Sequence, residues 1–98
     1  MIEWLEKWYL SSCDGDWEHS YGIKIRTLDN PGWAVDIDLF ETEMERIEIV
    51  PLRIDRTDND WINCSIRDST FVGRGGPKNL KEILNVFKNW VMENKENV

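Results

Sequence analysis

Between residues 13 and 22 the chain reads CDGDWEHSYG. This stretch gathers a thiol (Cys13), three carboxylates (Asp14, Asp16 and Glu18), the only imidazole of the chain (His19), and the aromatic side chains Trp17 and Tyr21. Three chemistries could use such a set. Asp14, Asp16, Glu18 and His19 are competent metal ligands, but they lack the spacing of a calcium loop with its distal Glu, and one His among scattered carboxylates fits no zinc signature. His19 as a base oriented by a carboxylate would need a nucleophile, and only Cys13 is at hand. The third use is recognition, in which a carboxylate rim with an aromatic anchor meets a basic partner. A plain structural role competes with all three: Asp14 and Gly15 ending a helix, Asp16 closing a turn, Trp17 and Tyr21 plugging the core edge.

Two further stretches carry candidate chemistry. GRGGPKN, residues 73 to 79, places glycines, Arg74 and Lys78 before a helical pattern, where free N–H groups suit an anion. It matches neither dinucleotide nor P-loop spacing, and no parallel β-α-β unit surrounds it, so a capped strand-to-helix connection is the expectation. Trp61 directly follows Asp58-Asn59-Asp60. An indole beside acidic groups can anchor a partner protein, or it can simply cover the end of a sheet.

The elements that must position these residues follow from periodicity. Met1, Leu5 and Trp8, joined by Trp4 and Tyr9, predict a short N-terminal helix, with Gly15 a left-handed residue after it. Tyr21, Ile23, Ile25 and Thr27, then Trp33, Val35, Ile37 and Leu39, alternate as two strands around DNPG. Both apolar sets carry odd numbers, so paired residues must sum to an even number. A two-residue Pro31-Gly32 turn is thereby disfavoured against a three- or five-residue loop, and Lys24 and Arg26 come to face the neighbourhood of Asp36 and Asp38. In RIEIVPLRI the apolar parity changes near Pro51, which predicts a bulged or broken edge strand. RTDND reads as a polar loop, Ile62, Cys64 and Ile66 as a strand face, RDST as a turn, and Phe71-Val72 as the last strand. Leu80, Ile83, Leu84, Phe87, Trp90 and Val91 form an apolar helical stripe running to about Glu93, with Asn79 and Glu82 placed as a capping box. The terminal ENKENV is expected to fray. The predicted class is α+β: a two-layer sandwich in which an antiparallel sheet of four to five strands carries the N-terminal and C-terminal helices on one face. The opposite face, with Lys24, Arg26, Asp36, Asp38 and Glu48, should be wet.

The 98 residues suit a single domain spanning 1–98. Nineteen Asp plus Glu against 12 Lys plus Arg give a formal charge of -7, which repels phosphate backbones and argues against nucleic acid as partner. Cys13 and Cys64 resemble neither a disulfide framework nor a zinc motif and are read as reduced thiols. The opening MIEWLEKWYL is too charged for a signal peptide and no apolar run approaches a membrane span, so a cytoplasmic protein without membrane partner is expected. Six Trp in so short a chain exceed what one small core needs.

The blocks CDGDWEHSYGI, LDNPGW and GGPKNL, together with the W-x-x-C of Trp61 to Cys64, resemble the immunity protein 53 family of bacterial polymorphic toxin systems. The resemblance spans nearly the whole chain and is weakest over residues 41 to 60. It implies a protein encoded beside a toxin that protects the producing cell by binding that cognate toxin, hence a binder with neither catalytic residues nor cofactor. Acidity adds the expectation of a basic target such as a nuclease. The expected partner-binding residues are Asp14, Asp16, Glu18 and His19 as a rim, with Trp17 or Trp33 as anchor and Trp61 as a further contact. Two other functions compete: a small metal- or His/Cys-dependent enzyme, and a regulatory module that self-associates through exposed Trp.

Overall fold

A computed structural model of the chain describes residues 1–94, so the fraying expected for the tail lies mostly outside the described residues. In chain order the elements are α1 (Ile2–Ser12), α2 (Trp17–Ser20), β1 (Ile23–Leu28), β2 (Gly32–Asp38), β3 (Leu52–Thr57), β4 (Asp60–Arg67), β5 (Thr70–Gly75) and α3 (Leu80–Glu93). The five strands form one antiparallel sheet in the order β1-β2-β5-β4-β3. The connection from β2 runs to the far edge, and β3, β4 and β5 then return as hairpins until β5 lies against β2. The expected α+β architecture is observed, with α2 as an additional single turn inside the predicted loop.

The β1–β2 hairpin has the even register: Ile23 pairs with Ile37, Lys24 with Asp36 and Arg26 with Ala34, across a three-residue loop of Asp29, Asn30 and Pro31. Between β4 and β5, Asp68 and Ser69 hold φ of 51° and 56°, which makes a mirror-image two-residue turn whose twist matches the flanking strands. On the inner face the cross-strand rows are Trp33, Gly75 and Ile62; Val35, Gly73 and Cys64; and Ile37, Phe71 and Ile66. Phe87 of α3 gathers the core above them, with its ring 5.1 Å from Phe71, 5.0 Å from Trp8 and 5.9 Å from Trp4. Each fully buried side chain of this kind contributes roughly 1.5–3 kcal/mol.

Three expectations are corrected. Ile47 to Val50 are not in the sheet: β3 starts at Leu52, and Ile47 and Ile49 pack half-buried against the core from the β2–β3 connection. Pro51, which has no N–H to give a ladder, marks where the strand begins, and the bulge falls later, between Asp55 and Thr57. Glu48 therefore lies beside Ile66 and Asp68 rather than on the open sheet face. RTDND is mostly strand, since Thr57 pairs with Asp60 and only Asp58 and Asn59 turn. Finally, β5 continues through Gly73 and Gly75, paired with β2 on one side and β4 on the other, and α3 comes so close there that glycine is the residue that fits: a Cβ on Gly73 would stand 2.4 Å from Ile83 Cγ2, and one on Gly75 2.8 Å from Ile83 Cδ1.

Candidate protein interface

The CDGDWEHSYG stretch is a closed local structure. Asp14 Oδ1 accepts hydrogen bonds from the N–H groups of Asp16 and Trp17, both at 2.9 Å, while the Glu18 carboxylate accepts from those of Asp14 and Gly15, both at 3.0 Å. Gly15, at φ 98°, supplies the left-handed residue that lets the chain double back. The two N–H donors hold the Asp14 carboxyl below the usual Asp range, Trp17 being the larger contributor. Asp16 and His19 project into solvent and Glu18 is half-buried.

Trp17 is not a surface anchor. It is 1% exposed, its Nε1–H donates to Phe40 O at 2.8 Å, and its ring packs edge-on against Trp8 and Tyr9. Contact with a partner would require pulling this indole from the core. Its bond to Phe40, with the stack of Tyr21 on Phe40 at 5.2 Å, fastens the acidic loop to the start of the β2–β3 connection.

That connection brings more carboxylates to the same end of the sheet. Thr42 Oγ1 donates to Leu39 O and accepts from Met44 N, folding the chain so that Met44 is fully buried and Glu41 and Glu43 are exposed. Ser69 Oγ donates to Glu45 O, placing Glu45 beside the β4–β5 turn, where Glu48 and Asp68 line a common groove. Asp38 closes the rim, its Oδ2 accepting from Gly22 N at 2.9 Å. This end thus holds nine carboxylates: Asp14, Asp16 and Glu18 from the loop, Asp38, four glutamates from the connection, and Asp68. Among the described residues of these segments, Arg46 and Arg67 oppose them. Nine acids against two bases make this a strongly negative end.

Trp33 and Trp61 lie elsewhere. Both are half-buried at the other end of the sheet, about 17 Å from the Asp38 row by strand rise, on opposite faces. Trp33 Nε1–H donates to Pro77 O at 2.9 Å, and Trp61 flanks Asp55, Arg56 and Asp58. The predicted residues therefore do not converge on one surface: Asp14, Asp16, Glu18 and His19 share an end that neither of these indoles reaches. The acids of residues 38 to 48 and Asp68 went unrecognised as part of that end. The available signal was the acid-rich ETEMERIE following a strand, with Met44 and Ile47 as its apolar plugs.

The other candidate chemistries can be followed to their atoms. Cys13 Sγ is bonded to Tyr9 O, and among the described residues the His19 ring has no hydrogen-bond partner, so thiol and imidazole do not form a pair. Among the described residues no group of three or more His, Cys, Asp or Glu is placed to hold a metal ion. No described helix is long and apolar enough to cross a membrane. The glycines of GRGGPKN make contacts rather than a cradle: a Cβ on Gly76 would meet Asn59 O at 2.6 Å. Asn79 does not close the expected capping box. Its Oδ1 accepts from Trp61 N and its Nδ2 donates to Asp60 and Glu82, while Arg56 grips both Glu82 oxygens and Asp60. The Arg56 guanidinium and Asn79 together hold the Asp60 and Glu82 carboxyls below their usual values.

Fold and charge define a small α+β protein with a strongly negative end. The family model of immunity protein 53 matches residues 2–92, and the chain belongs to that family. No curated protein and no solved structure gave a match.

Proposed function

We propose that this immunity protein neutralises a cognate bacterial toxin by occupying a basic surface of it, and that the negative end is the contacting surface. Family membership supports a toxin as partner. The observation that carries the choice of surface is the concentration of charge at one end, where Asp16, Glu18 and His19 form one rim and Glu41, Glu43 and Glu48 the other. A field of this kind accelerates encounter with a positive partner by 10- to 10³-fold, depending on ionic strength. Nuclease toxins, whose clefts are basic because they hold phosphates, are the proposed target class. In this reading the protein acts in the cytoplasm of the producing cell, as a single domain, by association and not by turnover.

The test is co-expression with the toxin encoded beside it, scored by growth and by co-purification, followed by association kinetics of the purified pair. Replacing Glu41, Glu43 and Glu48 by Gln should slow association about tenfold at low salt and flatten its salt dependence. Replacing Glu3, Asp55 and Asp58, away from that end, should leave the rate unchanged. Equal effects from the two sets would remove the proposed surface. Growth rescue without association would replace binding by a catalytic antidote.

A further inference from the structure

β1 is an edge strand with an unfilled backbone. Asp38 N donates to Gly22 O at 3.0 Å, which fixes Gly22 and Asp38 as a bonded position. Antiparallel alternation then directs the N–H and C=O groups of Lys24, Arg26 and Leu28 toward β2, and those of Ile23, Ile25 and Thr27 toward the free edge. Among the described residues none of these outward groups has a partner. Beside that edge, α1 stands off from the sheet and leaves a mostly apolar groove of about 390 Å³ lined by Ile2, Leu5, Glu6, Tyr9, Gly22 and Ile23. Ile2 is 58% exposed and Ile25, on the same face of β1, 41%. The other sheet edge, β3, is protected by Pro51, a bulge and charged side chains.

The two faces of the free edge differ in chemistry. Toward the groove β1 shows Ile23 and Ile25; toward the open sheet face it shows Lys24 and Arg26, both exposed. Asp36, which lies opposite Lys24, is bonded by Arg74 at 2.9 Å, and Arg26 lies opposite Ala34. The geometry points to a docking site for an extended segment of a partner protein that adds as a sixth strand on β1, with alternate apolar residues entering the groove and acidic residues between them facing Lys24 and Arg26. A second copy of this chain is a poor occupant. Antiparallel pairing of two β1 strands about Ile25 would set Lys24 of each beside Arg26 of the other, and like charges directly opposite are destabilising. The site uses a different surface from the negative end and stands independently of the function proposed above.

Two blocked peptides, one alternating Glu with Val and one alternating Lys with Val, serve as probes for titration of the full chain followed by amide NMR. The Glu peptide should bind about tenfold more tightly than the Lys peptide, from two favourable against two unfavourable cross-strand pairs. It should also slow hydrogen exchange at Ile23, Ile25 and Thr27 while leaving β3 unchanged. The double variant Lys24→Glu, Arg26→Glu should invert the preference. Ile25→Pro, which removes an outward-facing N–H together with the Ile25 side chain on the groove face, should abolish binding by the Glu peptide. Should that variant fail to fold, the charge inversion alone decides. Equal affinity for both peptides, protection confined to other strands, or a dimer held through β1 in sedimentation would each overturn the assignment.

Discussion

Replacing Gly73 by Ala adds one methyl group at the point where α3 presses on the sheet, and the structure sets its cost. The new carbon would stand 2.4 Å from Ile83 Cγ2 and 2.9 Å from Phe71 Cε2, against the roughly 3.5–4.0 Å of an unstrained carbon contact. Relief requires about 1 Å of movement by a helix whose Phe87 and Ile83 are fully buried, and overpacking of this kind costs about 1–3 kcal/mol. In a domain of this length each kcal/mol lowers Tm by about 4–8 °C. Ile83→Ala alone should cost about 2–5 kcal/mol through the cavity it leaves. Because it also removes Cγ2, adding the Gly73 methyl in that background should cost less, with only the approach to Phe71 left to relieve, giving a coupling of about 1 kcal/mol between the two sites. Gly22→Ala, with no atom within 4 Å of the new carbon, is the matched control and should stay within about 0.5 kcal/mol. Urea unfolding followed by tryptophan fluorescence reads the parent and all four variants. A Gly73→Ala cost that is the same with and without the Ile83 side chain would refute contact with α3 as the reason for the glycine.

Thiol labelling should be split between the two cysteines: burial pushes the Cys64 thiol up to about 12, so alkylation at pH 8 should modify half-buried Cys13 and reach Cys64 only on unfolding, as read by mass spectrometry. Glu82 and Asp60 have folded pKa values below their ordinary 4.5 and 3.8, so the stability they contribute is present above those values and is lost as pH falls through the folded ones. Arg56→Gln should flatten the stability profile below about pH 4.5, and an unchanged slope would remove the network from the acid response. Raising salt from 0.01 M to 0.5 M should raise Tm, because it screens repulsion at the negative end; Glu41→Gln with Glu43→Gln should raise Tm at low salt and diminish that salt effect. Equal salt sensitivity in variant and parent would show that the repulsion lies elsewhere.

The parts of the fold that could be read in advance are those governed by local parity and period. Odd-numbered apolar residues on both sides of DNPG were enough to require an even register and exclude the tight turn, and Ile23 does pair with Ile37. The stripe from Leu80 to Val91 was sufficient for α3. What misled was apolar content serving something other than a ladder. Ile47 and Ile49 have the spacing of a strand, yet they are spent burying a crossing connection, a demand set by where β3 must lie. Asn79 and Glu82 have capping-box spacing, yet Trp61 N, Asp60 and Arg56 offer these side chains stronger partners that only the tertiary fold brings within reach.

The same distinction explains the candidate interface. Net charge is a sum and carries no position, so -7 is equally compatible with an evenly acidic coat and with one negative end. Three separate segments meet here because Trp17 bonds Phe40, Leu39 N bonds Ser69 O, and Ser69 bonds Glu45. Each of these contacts involves a carbonyl oxygen of the backbone, a group whose partners no side-chain pattern announces. Gathering nine carboxylates opposes folding through self-repulsion, whereas solubility alone would be served as well by spreading them. The buried Trp17 and Met44 hold the two acidic segments at that end against this repulsion. Under the proposed function Trp17 would bear on recognition without touching a partner, because its bond to Phe40 keeps the carboxylates of residues 14 to 18 beside those of 41 to 45.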